Sequence, residues 1–220
     1  MESINFIENE LNEGLRNLVN SVYNSKGRFY HGVNHINGML SKFEELYEKI
    51  PEVKNEIDYK SMRLAIIFHD LIQGCKDAEF TCADIVSNLL EPLETSANFM
   101  DIRNVGILIR YTDYGFYSEG INPDECLIRD LDLEGLGAPW EVYLYNSFLI
   151  RQEYPDISID EFCKGRKKFM KHILSFEKIY STPYFEHLEE KARANLKREL
   201  EFCELRELEF CELRVPDIKV

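Results

Sequence analysis

Residues 58–72 read DYKSMRLAIIFHDLI, and the fold turns on how the middle of that stretch is read. The apolar run Leu64-Ala65-Ile66-Ile67-Phe68 leads directly into His69 and Asp70. Read with the helical period of its surroundings, the stretch predicts a buried helix rather than a strand. A His and an Asp ending such a helix are costly unless compensated, because buried charges and unpaired polar atoms are disfavoured. A divalent cation is the obvious compensation. Neutral imidazole and carboxylate are both good ligands for Mn, Fe, Zn or Mg, and a second His with another Asp would complete a mixed nitrogen and oxygen set.

Outward from this stretch the hydrophobic period stays helical. In residues 2–23, Ile4, Leu11, Leu15, Leu18 and Val22 recur at intervals that lay an apolar stripe on one face. Further helices are predicted near 34–49, 58–72, 78–93, 98–112, 124–136, 139–154, 159–179 and 183–212. The breaks carry turn chemistry, among them Gly27, Pro51, Gly74, Pro92, Gly115 to Pro123, Gly137 to Pro139, Pro155 and Pro183. No segment sustains a two-residue alternation bounded by turns. The expected architecture is an all-α helical bundle of about nine helices with no significant β-sheet, and no linker divides it. A single domain is expected over 1–198, with a C-terminal helical extension over 199–220. There ELEFCELR at 199–206 is repeated at 207–214. Eight residues advance a helix by about 80° beyond two turns, so the two copies present their apolar residues on different faces. The repeat reads as a local duplication that lengthens a helix, with an oligomerisation handle as the alternative.

Composition narrows the function. Of 220 residues, 45% are hydrophobic and 30% charged, the profile of an ordinary globular protein. The 26 Lys and Arg against 40 Asp and Glu leave a net charge of −14, which repels polyanions and argues against long nucleic acids. It does not forbid one phosphate group in a locally basic cleft. Cys75, Cys82, Cys126, Cys163, Cys203 and Cys211 form no CxxC pair and no regular framework, so reduced, packing cysteines are expected. The acidic first residues, MESINFIENELNEGL, do not read as a signal peptide, and no stretch approaches a membrane span. A cytoplasmic protein, monomeric or homodimeric, with no membrane partner is the expectation.

The five histidines sharpen this picture, because His35, His69-Asp70 and Asp132 come in order on three different predicted helices, as ligands in a helical-bundle site must. At these residues the chain resembles the HD superfamily of metal-dependent phosphohydrolases, whose hallmark is His, His-Asp and Asp on an all-α fold. It is most similar to a branch of small stand-alone predicted hydrolases. The matching pieces are Arg28-Phe29-Tyr30-His31-Gly32-Val33-Asn34-His35-Ile36, Ile67-Phe68-His69-Asp70, Glu79-Phe80-Thr81-Cys82-Ala83 and Asp130-Leu131-Asp132-Leu133-Glu134-Gly135-Leu136-Gly137. Behind them come Ile150 to Tyr154, Gly165-Arg166, Ile179-Tyr180 and Ala192 to Leu196. Together they run in order from about residue 20 to residue 200. Two departures stand out. Where the branch writes Thr-x-x-His, this chain has Thr112-Asp113-Tyr114-Gly115, and the segment after Asp70 lacks the usual aromatic-Asp.

The resemblance implies one divalent metal ion (Mn, Fe, Mg, Zn or Ni) held by His35, His69, Asp70 and Asp132. Asp130 is the alternative to Asp132, since two residues apart on a helix point about 200° apart and only one can be a ligand. The implied reaction is hydrolysis of a phosphoester of a nucleotide or another small phosphorylated metabolite by a metal-activated water. Asp70, Glu79 and His31 are the expected catalytic groups, with Glu79 orienting or deprotonating the water or else serving as a surface carboxylate. Arg28, Arg151 and Arg166, with His31, are expected to bind the substrate phosphate, and structural ion pairs are the alternative for each arginine. His172 and His187 read as surface or capping residues. Tyr111, Tyr114, Phe116 and Tyr117 read as wall packing, and Tyr114 to Tyr117 could form a lid. The two departures keep open an alternative function: a catalytically reduced domain that binds a nucleotide or a protein partner.

Overall fold

The protein is seen in a computed structural model that describes residues 2–6, 11–75, 77–90, 99–115 and 122–205. Its α-helices are α1 (Glu13–Tyr23), α2 (Val33–Lys49), α3 (Pro51–Glu56), α4 (Tyr59–Phe68), α5 (Ala78–Leu90), α6 (Phe99–Arg110), α7 (Pro123–Leu133), α8 (Trp140–Gln152), α9 (Ile159–Leu174) and α10 (Glu189–Leu205). Among the described residues there is no strand, and no helix is long and apolar enough to cross a membrane. The expected all-α bundle is what forms. The chain divides into two compact units, residues 1–132 and 133–220.

In the first unit α4 is the central element. Asp58 caps it, its carboxylate accepting from the Ser61 N–H at 3.2 Å and from the Ser61 hydroxyl at 2.7 Å. Every side chain from Ser61 to Phe68 is buried, so the helix is enclosed on all sides rather than on one face. Its one charged core residue, Arg63, is held by Glu44 of α2 and by the Asn5 carbonyl at 2.8 Å. Against α4 lie α2 and α6, and α5 packs on α6. The start of α7 is tied to the start of α4, where Asp124 accepts from the Asp58 N–H at 2.9 Å. The His69 N–H still reaches back to the Ala65 carbonyl, at 2.8 Å, after which the chain leaves the helix at Asp70.

Three local expectations are corrected. The first helix begins at Glu13, not near residue 2, because Asn12 accepts from the Leu15 N–H at 2.9 Å and caps it there. Residues 2–6 are non-helical, their Ile4 and Asn5 N–H groups being taken by Asn20 and Asn37 side chains. The buried stripe of α1 is Leu15, Val19 and Tyr23, whereas Leu18 is 41% exposed. Pro51 is not simply a break. It opens the short helix α3, since proline lacks a donor that the first turn would leave unpaired anyway. Helix α9 stops at Leu174, short of 179, and α10 starts at Glu189 after a 3₁₀ turn, Glu186–Leu188.

In the second unit α10 packs on α9 and on the 3₁₀ segment Glu134–Gly137. Asn195 of α10 donates to the Leu136 and Ala138 carbonyls at 2.8 and 2.9 Å. A Cβ on Gly137 would stand 2.6 Å from the Leu188 Cβ, so only glycine permits this approach. The expected domain boundary between 198 and 199 falls inside α10, and Glu199 is fully buried. The second copy of the octapeptide, residues 207–214, lies outside the described residues, as do Phe116 and Tyr117 of the expected lid. Cys75, Cys82, Cys126, Cys163 and Cys203 carry free thiols.

Candidate metal centre

Three helix ends of the first unit deliver the candidate ligands. His35 sits in the first turn of α2, His69 and Asp70 follow the last residue of α4, and Asp132 lies in the last turn of α7. The two imidazoles face each other, Nε2 to Nε2, at 3.4 Å. Oδ2 of Asp70 stands 3.2 Å from His69 Nε2 and 3.7 Å from His35 Nε2. Oδ1 of Asp132 stands 3.2 Å from His35 Nε2 and 3.6 Å from His69 Nε2. His35, His69 and Asp70 form a group that could hold a metal ion, their ligand atoms lying within 4.8 Å of one another. Asp130, the alternative ligand, is fully buried on α7, and the carboxylate in these contacts is that of Asp132.

The surroundings prepare the His69 ring for ligation. A carbonyl can only accept, so the 2.9 Å contact of His69 Nδ1 with the Ile66 carbonyl places the hydrogen on Nδ1. In the neutral ring this leaves the Nε2 lone pair aimed at the cluster. Oδ2 of Asp70 is buried, and although it is close to both imidazoles it receives no hydrogen bond of acceptable geometry. An oxygen so placed lacks a partner that a cation would supply, and the donor set of two nitrogens and two carboxylates suits one.

Electrostatics point the same way. Burial opposes charge on His69, but Asp70 and Asp132 outweigh it and raise the ring's affinity for a proton well above the ordinary imidazole value. Burial likewise works against ionised Asp70, but His69, His31 and His35 hold its carboxyl well below the usual range. For Asp132, the neighbouring His35 and His69 overcome burial in the same direction. Two carboxylates thus require positive charge between them, for which a proton and a metal compete. The last turn of α7 carries no basic residue, and the negative end of the helix dipole adds to that requirement at Asp132.

Around this cluster stand further groups. The ring of Tyr30 lies 5.2 Å from that of His35, and His31 contacts both edge-on, at 4.8 Å from Tyr30 and 5.9 Å from His35. Glu79, in the first turn of α5, is half-buried, and burial together with the charges of Asp113, Asp70 and Asp132 raises its carboxyl above the ordinary value. Arg28 gives its donors to backbone: to the carbonyls of Asp70 at 2.6 Å, Leu71 at 3.0 Å and His31 at 3.2 Å. Its guanidinium also lies 5.5 Å from the ring of Tyr23, whose hydroxyl donates to the Ile67 carbonyl at 2.9 Å. Arg28 therefore ties the approach to α2 onto the chain that carries His69 and Asp70.

Arg151 and Arg166 belong to the second unit. Arg151 donates to the Tyr154 and Ile157 carbonyls. Arg166 forks onto Glu199, Nε to Oε1 at 2.9 Å and Nη2 to Oε2 at 2.8 Å, and Tyr143 and Ser147 donate to the same carboxylate. His172 and His187 are exposed.

One residue at the cluster has a role the sequence does not mark. Tyr114, expected only as wall or lid, donates its hydroxyl to Asp132 Oδ2. Burial and the charge of Asp132 keep that phenol protonated far above its ordinary range. Its aromatic type gave no signal of this, because the sequence holds 12 Tyr and 14 Phe that mostly pack.

Comparison of the chain with protein-family models, with curated proteins and with solved structures gave no match in any of the three.

Proposed function

We propose that the protein is an HD-type metal-dependent phosphohydrolase that cleaves a phosphoester of a nucleotide or another small phosphorylated metabolite. The observation that carries this reading is the meeting of His35, His69, Asp70 and Asp132 from three separate helices in one cluster, with a buried Asp70 oxygen left over. These four residues would hold one divalent ion, with Mn, Fe, Mg, Zn and Ni all compatible with two imidazoles and two carboxylates. When bound, the ion supplies Lewis acidity, which acidifies a water and draws charge from a phosphoryl oxygen.

The chain's own groups do the rest. The Ile66 carbonyl fixes the tautomer and orientation of His69. Glu79 holds a proton more readily than an exposed glutamate and lies in the field of Asp70 and Asp132, which suits it to accept and return a proton. Tyr30 and His31, packed at His35, supply a substrate-side wall with an imidazole that can donate to a phosphate oxygen. Arg28 serves the site by position, holding the Asp70 and Leu71 carbonyls.

The test is metal analysis of protein purified without chelator, together with a screen of nucleotides and generic phosphoesters. A bound divalent ion and an activity abolished by Asp70→Ala are expected. Absence of metal, with no activity that Asp70→Ala removes, sinks the reading. One observation favours a second reading, a catalytically quiet domain that binds a nucleotide or a protein partner: Arg28, Arg151 and Arg166 all give donors to carbonyls or to Glu199. That reading expects thermal stabilisation by a ligand without turnover, and steady hydrolysis rules it out.

A further inference from the structure

We infer that Tyr114 is a positioning residue of the metal centre, its hydroxyl holding the Asp132 carboxylate so that Oδ1 is the oxygen presented to His35 and His69. The inference rests on the metal reading above and deepens it. The two oxygens of Asp132 have different partners: Oδ2 accepts from the Tyr114 hydroxyl, while Oδ1 lies 3.2 Å from His35 Nε2 and 3.6 Å from His69 Nε2. The terminal torsion of an aspartate is broad and roughly two-fold, so the side chain alone does not choose between its oxygens. A donor fixed on one oxygen makes that choice and leaves the other for a cation.

The hydroxyl is fixed because the chain that carries it is fixed. Tyr114 belongs to the turn that ends α6, where the Thr112 and Asp113 N–H groups donate to the Ile109 and Arg110 carbonyls, both at 3.2 Å. The buried Thr112 hydroxyl adds a bond to the Ile109 carbonyl at 2.7 Å, and the Gly115 N–H donates to Asp113 Oδ1 at 2.8 Å. Helix α6 packs on α4, the helix that delivers His69 and Asp70. The frame that sets one half of the ligand group therefore also sets the donor that orients Asp132.

The experiment titrates Co²⁺ alone, against a competing chelator and by its visible absorption, onto the wild-type chain, Tyr114→Phe, Asp132→Ala and the double variant. Metal-free melting curves are recorded alongside, and affinities are compared at a temperature at which every variant is folded. Tyr114→Phe is expected to weaken Co²⁺ binding by roughly 10- to 100-fold and to change its absorption, the range seen when a ligand's outer partner is removed. In the Asp132→Ala background the same change is expected to cost nothing further, because Tyr114 acts only through Asp132. Tyr145→Phe on α8, a tyrosine 39% exposed, is the control and leaves Co²⁺ binding unchanged. Equal affinity of the wild type and Tyr114→Phe overturns the inference and leaves the metal reading standing. So does an equal loss in both backgrounds, which would mark a merely structural role. A wild-type chain that binds no Co²⁺ overturns both.

Discussion

Replacing Arg166 by methionine keeps an unbranched apolar stem and removes the guanidinium with its charge and donors, which tests whether this arginine serves the fold or a substrate phosphate. Glu199 is fully buried, and Arg166 meets it with two charge-assisted hydrogen bonds of 2.9 and 2.8 Å. Breaking a buried pair from one side typically costs about 3–5 kcal/mol, because the remaining charge stays desolvated. Here the Tyr143 and Ser147 hydroxyls still donate to Glu199, so the lower part of that range, about 3 kcal/mol, is expected. For a chain of this size that is a fall in Tm of roughly 6–12 °C. Adding Glu199→Gln removes the stranded charge but keeps an acceptor for Tyr143, so the double variant should be more stable than Arg166→Met alone. The assay is thermal and urea unfolding of the wild type, both single variants and the double. A single-variant cost under about 1 kcal/mol, or effects that add to within about 0.5 kcal/mol, would refute the reasoning. A loss of phosphoester turnover in the refolded double variant would return Arg166 to the substrate.

Three further outcomes are expected. Arg166 and the two hydroxyls hold the Glu199 carboxyl below its ordinary value against the opposing effect of burial, so its stabilisation is present above about pH 4.5 and lost as pH falls through the lowered value. Glu199→Gln should flatten that acid limb in pH-dependent unfolding, and an unchanged limb contradicts the assignment. Asp58→Ala removes the cap of α4 and should cost about 1–2 kcal/mol in urea titrations, with no effect meaning that the cap does not hold the helix start. Gly137→Ala places a methyl 2.6 Å from the Leu188 Cβ and should lower stability by about 1–3 kcal/mol, whereas a neutral substitution would show that α10 and its preceding turn can shift.

Helix identity was legible because it is a local property. Among the described residues, the period of apolar residues and the turn chemistry between them located nine of the ten α-helices, and the exception, α3, hides behind a proline that can equally end or begin a helix. Faces were less legible: on α1 the same period admits Leu18 and Val22 or Val19 and Tyr23, and only the packing partners choose the latter. The helix start at Glu13 was hidden in the same way, because Ile4 continues the stripe numerically while its N–H is taken by Asn20.

For the candidate centre, the His69-Asp70 step at the end of a buried run marked a polar site in need of compensation, and the order of His35 and Asp132 pointed to the residues that the fold brings beside it. Helical geometry could say that Asp130 and Asp132 do not both reach one point, but not which does. That depends on how α7 is rotated when it docks, a matter of its buried face and of the Asp124 contact with Asp58. Likewise no local rule tells an arginine that grips phosphate from one that meets Glu199, thirty-three residues on, or a packing tyrosine from Tyr114. The sequence by itself determined the elements and the chemical types that could meet. Which oxygen, which hydroxyl and which guanidinium are committed was decided only by tertiary structure, because hydrogen bonds and ion pairs depend on distances between residues that the chain order leaves free.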